Sequence, residues 1–315
     1  MLELDRGRVA AIDEMLRGRA DRWRLWREAG RRALGVFNPA DLLTLAYLTY
    51  ASALTVIFHQ HTPGWKAVLL VNGGLIAMVT GLAHCRERGP RLPSFLSHWY
   101  PVALFGIFFE EIGYLVHAIF PTWFDDALIK ADYWLFGAHP TVWIEQFSGY
   151  WLNEYMQLVY TTYLVLTLGF GAYLWWRGRR ASFEIFIAST CIAYYLSYVI
   201  FTLFPIEGPY HTLAHLQQVE LSGGPFTALI NLIEKHGRVH GGAFPSTHVA
   251  GSVVVLVSAY RFARRVGYAL IPLVVSICVS TVYGRYHYAA DVFAGAAMGL
   301  VGCWLGAKLR GKAKE

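Results

Sequence analysis

Long apolar segments separated by short polar ones run through most of the chain. A helix that crosses a bilayer needs roughly 20 mostly apolar residues, because each residue adds about 1.5 Å to a path of about 30 Å. The segments that meet this requirement cover residues 41–60, 66–84, 98–120, 151–176, 184–204, 246–264, 267–284 and 288–308. The pattern therefore predicts an all-α, polytopic integral membrane protein with about eight transmembrane helices.

Basic residues fall on every second connection between these segments. The first forty residues contain nine arginines, and further basic clusters lie at 86–91, 177–180, 261–265 and 308–314. Because cytoplasmic connections are enriched in Lys and Arg, this alternation predicts an even number of spans with both termini in the cytoplasm. The net charge of +6 then reflects topology and attraction to anionic lipid head groups, and we expect no nucleic-acid partner.

The composition agrees with a membrane location. Hydrophobic residues make up 56% of the chain and charged residues 15%, which is unlike a soluble domain. Many of the 11 tryptophans lie near the ends of apolar segments, as in the aromatic belts of membrane proteins. The four cysteines have no paired spacing, so neither a disulfide framework nor a cysteine metal motif is predicted.

Three polar motifs lie at the edges of the predicted spans. They are FPIEGPYH at 204–211, PSTH at 245–248 and YGRYHYAAD at 283–291. With eight spans, all three lie on the outer side of the membrane. We therefore expect residues that are far apart in sequence to form one extracytoplasmic site.

Two of these motifs carry residues suited to phosphoryl transfer. His287 and Asp291 are four residues apart, so they share one face of a helix, and a carboxylate beside an imidazole fixes its tautomer. Pro245, Ser246 and Thr247 are typical of a helix start, whose free N–H groups can bind phosphate, and His248 adds a proton donor. Each motif alone has a simpler interpretation, a solvated polar pair for the first and a helix cap for the second.

The order and position of these motifs resemble the type 2 phosphatidic acid phosphatase superfamily. Its second motif, usually Pro-Ser-Gly-His, matches Pro245–His248 except at Thr247. Its third motif, Ser-Arg, five residues, His, three residues, Asp, matches Ser280, His287 and Asp291, with Thr281 where the family has Arg.

The remaining features are closer to one branch of that superfamily. The first motif, Lys, six residues, Arg-Pro, is not recognisable, and FPIEGPYH stands in its place with Pro209. Such a motif, together with the His-Tyr-x-x-Asp pattern at 287–291 and the segment 132–147, resembles inositol phosphorylceramide synthases and related phosphotransferases. The resemblance covers roughly residues 98–308, the size of the family's six-helix core.

The charge pattern and this resemblance together predict an organisation into four parts. Residues 1–40 form a basic amphipathic cytoplasmic segment, for which a flexible tail is the alternative. Residues 41–97 supply two additional transmembrane helices, 98–308 form the six-helix core, and 309–315 form a basic cytoplasmic tail.

The resemblance also implies roles for the site residues. His287 attacks phosphorus, Asp291 orients His287, and His248 protonates the leaving oxygen. Ser246 and Thr247 hold the phosphate. No metal and no other cofactor is implied, and the implied partners are a lipid phosphate or phospholipid substrate and the membrane lipids.

Other positions are candidates for substrate binding. Because the family's Lys and Arg are missing here, another cation must meet the phosphate charge. The candidates in the outer connections, each with an exposed loop residue as the alternative, are Arg285, His211, Lys235 and Arg238, with Tyr210 beside them. Glu110 and Glu111 lie within a predicted span, where they either contact a substrate head group or join two helices by a hydrogen bond.

Two further outer features have open interpretations. The stretch 226–235 is predicted to form a short helix that either covers the site or anchors the loop to the membrane surface. The pairs His59 and His61, and His236 and His240, lack the Cys or carboxylate partners that would indicate a metal site.

The sequence thus predicts a membrane-embedded lipid phosphoester phosphatase that works through a phosphohistidine. A lipid phosphotransferase has the same catalytic trio and is the alternative. A non-enzymatic transporter is the alternative from another class, although the broken helices and repeats expected of one are not seen. The sequence makes no prediction of oligomeric state.

Overall fold

Residues 35–86, 91–237 and 239–311 are described by a computed structural model of the chain, in which the regular secondary structure is helical. The N-terminal segment 1–34 and the tail after 311 lie outside these ranges. The longer helices are α1 (Pro39–Ile57), α2 (Trp65–Cys85), α3 (Arg91–Leu115), α4 (Asp125–Phe136), α5 (Tyr150–Trp176), α6 (Arg180–Leu203), α7 (Pro225–Gly237), α8 (Thr247–Phe262), α9 (Arg264–Tyr283) and α10 (Ala289–Gly311).

Each predicted span coincides with one of these helices. By length and composition, α1, α2, α6, α9 and α10 can cross a membrane, and α5 adds a sixth span if its two halves, which meet at 45°, form one crossing. The remaining two of the eight predicted spans fit this requirement less well. Helix α8 has only 16 residues, and α3 carries polar residues at both ends. The prediction of an all-α, polytopic membrane protein is confirmed.

Short helices occupy the connections that were predicted to face outward. Helix α4 lies between α3 and α5, and α7 lies between α6 and α8. The helix expected at 226–235 is present as α7. Single helical turns at Pro140–Trp143 and Pro209–Thr212 complete these connections. Two long connections therefore fold over the same end of the helix bundle.

Helix α10 packs closely against α6 and α8 through small residues. A Cβ atom added at Gly302 would lie 2.5 Å from the carbonyl oxygen of Ser189, and one at Gly299 would lie 2.7 Å from that of Ala250. Such contacts matter in a membrane, where association of helices depends on van der Waals packing rather than on the hydrophobic effect. They fix the position of α10, whose first turn contains Asp291.

We expect Gly302→Ala to destabilise the bundle by about 1–3 kcal/mol, because the added methyl group meets a backbone oxygen that cannot move aside. Thermal unfolding in detergent measures this loss. The matched control is Gly81→Ala in α2, where a new Cβ meets nothing within 4 Å. Equal stability of the two variants would contradict the close packing of α10.

Candidate active site

A cavity of about 310 Å³ lies between the helix bundle and the outer connections. Its apolar and aromatic wall comes mainly from α3 and α5, with Val102, Phe105, Phe109, Tyr160 and Leu168. Polar residues also line the cavity, among them Glu207, His240, Thr247, His248, Arg285 and His287. The cavity therefore joins a hydrophobic slot to a polar end that contains two of the predicted catalytic residues.

The ring of His287 is held on one side by two acceptors. Its Nδ1 atom lies 2.8 Å from the carbonyl oxygen of Ala243 and 3.3 Å from Oδ2 of Asp291. Because a carbonyl oxygen can only accept, Nδ1 carries the hydrogen, and in the neutral ring Nε2 keeps the lone pair. The sequence indicated Asp291 as the orienting group. The nearer acceptor, the backbone carbonyl of Ala243, could not be predicted, because its side chain takes no part in the contact.

His248 lies directly against the opposite side of this ring. Nε2 of His287 is 3.2 Å from Nδ1 of His248, so one proton is shared between the two imidazoles. The ring of His248 is stacked on Tyr160, with centroids 4.7 Å apart, and it also contacts Tyr163 at 4.2 Å. The two tyrosines of α5 thus fix the imidazole plane, a role that was not predicted for them.

The N-terminal ends of α8 and α10 meet beside the histidines. The backbone N–H of Ser246 donates to the carbonyl oxygen of Asp291 at 3.1 Å, and Oδ2 of Asp291 accepts from the N–H of Tyr288 at 2.9 Å. This pairing holds the two motifs in one place.

The two hydroxyl residues of the second motif differ in position. Ser246 is completely buried, and its hydroxyl accepts from the N–H of Val249 at 3.4 Å as the cap of α8. It does not line the cavity, so its predicted contact with phosphate is replaced by a capping position. Thr247 does line the cavity, at the first residue of α8.

Arg285 lies in the cavity wall, two residues before His287. Its backbone has a φ of 64°, the left-handed region that is uncommon for residues other than glycine. Nη2 donates to Oε1 of Glu145 at 3.0 Å and also to the carbonyl oxygen of Val219. Its Nε–H has no acceptor among the residues that the structure describes. Arg285 is thus a buried cation with one N–H group available and with Glu145 as its counter-charge.

Four buried acids, three in the connections and Glu154 near the start of α5, accept backbone N–H groups from segments remote in sequence. Asp132 accepts from Ala289 and Ala290 at 2.9 and 2.8 Å, and thereby caps α10. The others follow the same rule: Asp125 accepts from Glu207 and Gly208, Glu145 from Gln218 and Val219, and Glu154 from Phe226 and Thr227. These carboxylates therefore fix the loops around the cavity.

Two groups in these hydrogen-bond networks have a raised pKa. Burial raises the pKa of the Asp132 carboxyl, although the N–H groups of Ala289 and Ala290 oppose the rise. Burial also raises the pKa of Tyr288, whose hydroxyl donates to Asp125 at 2.8 Å. Tyr288 therefore stays a neutral donor and ties the turn at Gly208 to the residue after His287.

The other candidate binding residues of this connection differ in their position relative to the cavity. Tyr210 lines the cavity, whereas His211 does not and is exposed. Lys235 belongs to α7, but its side chain lies outside the described part of the structure, as does Arg238 altogether. Of the four proposed cations, the structure thus places Arg285 in the cavity wall.

Glu110 and Glu111 are not cavity residues. Glu110 is exposed, and Oε1 of Glu111 accepts from Nδ2 of Asn72 at 2.7 Å, which joins α3 to α2. Neither residue lines the cavity, and the alternative of a hydrogen bond between helices describes Glu111.

A set of potential metal ligands differs from the pairs considered in the sequence. Glu207, His211 and His240 have ligand atoms that all lie within 4.8 Å of one another. His59 and His61 lie in the connection between α1 and α2, and the side chain of His236 is outside the described residues. The separation of Glu207 and His240 along the chain concealed the cluster.

Comparison with known proteins agrees with this geometry. The sequence model of the PAP2 superfamily matches residues 126–305, more than half of the chain, so the chain belongs to this superfamily of phosphatidic acid phosphatase type 2 proteins. The matched residues include both histidine motifs and fall within the predicted core at 98–308, whose boundaries stay a prediction.

One similar curated protein is a PA-phosphatase related-family protein of Dictyostelium discoideum. It is 28% identical over 115 residues, which are 35% of this chain and 21% of that protein. The chain thus matches only about a fifth of the length of this relative. No solved structure matches the chain.

We expect Asp132→Ala to lower the free energy of unfolding by about 0.5–2 kcal/mol, because two buried N–H groups at the start of α10 lose their acceptor. The matched control is Asp126→Ala, an exposed acid on the same helix α4. Thermal unfolding in detergent checks both. A control variant as unstable as Asp132→Ala would remove the capping explanation.

Proposed function

We propose that the chain is a membrane-embedded lipid phosphoester phosphatase that acts through a phosphohistidine at the extracytoplasmic face. The observation that carries this proposal is the pair of facing imidazoles, with Nε2 of His287 at 3.2 Å from Nδ1 of His248 and Nδ1 of His287 bound to Ala243. Membership in the PAP2 superfamily favours this enzyme over a transporter.

In the first step, the lone pair on Nε2 of His287 attacks phosphorus. The P–O bond to the lipid alcohol breaks as the N–P bond forms, and His248, which enters this step as the doubly protonated imidazolium, gives its Nδ1 proton to the leaving oxygen and becomes the neutral imidazole. The positive charge that develops on the His287 ring is stabilised by Asp291, whose carboxylate is 3.3 Å from Nδ1. His248 must move off Nε2 before attack, because the two rings share a proton at rest.

In the second step, a water molecule attacks phosphorus and gives its proton to His248. The N–P bond then breaks, which releases inorganic phosphate and restores His287 with its lone pair on Nε2. The same nitrogen of His248 thus acts as an acid in one step and as a base in the other.

Phosphate charge is met by Arg285 and by the start of α8. Arg285 is 8% exposed, and its Nε–H has no acceptor among the described residues, so it can donate to a phosphate oxygen in a site of low dielectric. Thr247 lines the cavity at a helix N-terminus, where free N–H groups and the helix dipole favour an anion. The chain's own residues thus supply the positive end of the site.

The shape of the cavity supports a lipid substrate. Its wall on α3 and α5 is apolar, whereas the histidines and Arg285 lie at the other end. A phosphate can then reach His287 while the hydrocarbon chain lies between helices. The alternation of basic connections supports the accompanying topology, with both termini cytoplasmic and the site extracytoplasmic.

A lipid phosphotransferase is the second candidate. The His-Tyr-x-x-Asp pattern at 287–291, in which Tyr288 is fixed by Asp125, favours it. In that reaction the hydroxyl of a second alcohol takes the place of water in the second step. His287 and His248 keep the roles described above.

We expect His287→Ala to abolish turnover of a lipid phosphate, because no nucleophile remains. His248→Ala should lower turnover by about 10²- to 10⁴-fold, and this defect should shrink for an aryl phosphate whose leaving group needs no proton. Rates on both substrates measure the two roles, and an acid-labile phosphoprotein trapped at short times should contain phosphorylated His287.

His59→Ala serves as the control, since this exposed histidine lies in the connection between α1 and α2 and does not line the cavity. Normal turnover by His287→Ala would refute the mechanism. A His248→Ala defect of equal size on both substrates would refute the role of His248 as the acid.

We expect the purified chain, incubated with a panel of lipid phosphates and phosphodiesters, to release free phosphate whether or not alcohol acceptors are present. Mass spectrometry of the products makes the distinction, because transfer would place the phosphoryl group on the added alcohol. Products on the acceptor without free phosphate would favour the phosphotransferase.

A further inference from the structure

Three potential metal ligands meet at the polar rim of the cavity. They are the carboxylate of Glu207 and the imidazoles of His211 and His240, with ligand atoms within 4.8 Å of one another. We propose that these three residues bind a divalent transition-metal ion, of which Zn²⁺ is the best fit. This inference goes beyond the proposed function, because the histidine mechanism described above needs no metal.

The donor set suits zinc. Two imidazoles and one carboxylate are the protein ligands of one class of catalytic zinc sites, which keep a fourth position open for water or substrate. The ligand atoms lie within 4.8 Å of one another, and zinc binds imidazole nitrogen and carboxylate oxygen at about 2 Å. Softer or harder ions fit less well, because no thiolate is present and imidazole outnumbers carboxylate here.

The chain brings the ligands together from two segments. Glu207 lies two residues before the single helical turn at Pro209–Thr212, and His211 lies within that turn. His240 comes from the segment after α7, which is paired with the first segment through a parallel bridge between Ile206 and Gly242. The cluster is thus built into the junction of the two segments.

The backbone around the ligands is fixed. Asp125 accepts the N–H groups of Glu207 and Gly208 at 2.9 and 2.8 Å. Gly241, next to His240, has a φ of 93°, and a Cβ there would lie 2.1 Å from Val116. Only glycine fits at this position, so the path of the chain beside His240 is set by packing against α3.

The charges also favour a cation. Nδ1 of His240 lies 3.6 Å from Oε1 of Glu207, and the rings of His211 and His240 are 5.2 Å apart. Two imidazoles that approach one carboxylate make a site for positive charge, either as protons or as one metal ion.

The location gives the ion a role. Glu207 and His240 line the same cavity as His248 and His287. Arg285, the buried cation of this cavity, is already partly neutralised by Glu145. A divalent ion at the rim would supply positive charge, and its open position could hold an oxygen of a phosphate-bearing head group while His287 does the chemistry.

The test is zinc binding by the full chain purified in detergent, stripped with a chelator and titrated with Zn²⁺. Calorimetry and elemental analysis after desalting should give about one zinc per chain. Glu207→Gln and His240→Ala should each lower zinc affinity by at least about ten-fold, and His59→Ala, an exposed histidine of another outer connection, should leave it unchanged.

His240→Cys separates loss of a zinc ligand from loss of the fold, because a thiolate can replace imidazole as a zinc ligand. Zinc affinity within about ten-fold of the native value in this variant supports the site even if the alanine variant does not fold. Failure of the stripped native chain to take up zinc would overturn the proposal. So would native affinity in a chain with both His211→Ala and His240→Ala.

Discussion

The contact between the N-terminal ends of α8 and α10 is the interaction on which the site depends. Ser246 donates its N–H to the carbonyl oxygen of Asp291, and a Cβ added at Gly295 would lie only 2.4 Å from the carbonyl oxygen of Ser246. Two helices that approach so closely bring Nδ1 of His248 to 3.2 Å from Nε2 of His287. If the ends were separated, neither histidine would keep its partner, because both belong to the turns that this contact fixes.

The outer connections stabilise this contact by a single recurring means. Buried carboxylates accept the N–H groups of distant turns, as Asp132 does at the start of α10 and Asp125 at Gly208. A buried N–H group without an acceptor is costly, so each pairing satisfies a donor and fixes a loop at once. The loops over the cavity are thus held by hydrogen bonds to backbone, which suits a surface where apolar packing is limited.

Much of the fold could be predicted from the sequence, because apolar length and the spacing of basic clusters are properties of single segments. The helices and the motifs that contain His248, His287 and Asp291 could be predicted in this way. Contacts between remote segments could not be predicted. Ala243 binds His287 through a carbonyl oxygen that every residue has, and Glu145 gives no sign in sequence that its partner is Arg285. Glu111 was ambiguous for the same reason, since Asn72 is the residue that decides its role.

The charge balance of the cavity explains why a partly neutralised arginine can serve it. A guanidinium buried in the cavity wall without a counter-charge would be costly. Glu145 removes that cost through Nη2 and leaves Nε of Arg285 without a protein acceptor among the described residues. A phosphate that enters the cavity then meets a donor that is already fixed in position. Because Glu145 is itself fixed by the N–H groups of Gln218 and Val219, the outer loop and the phosphate end of the site are coupled through one ion pair.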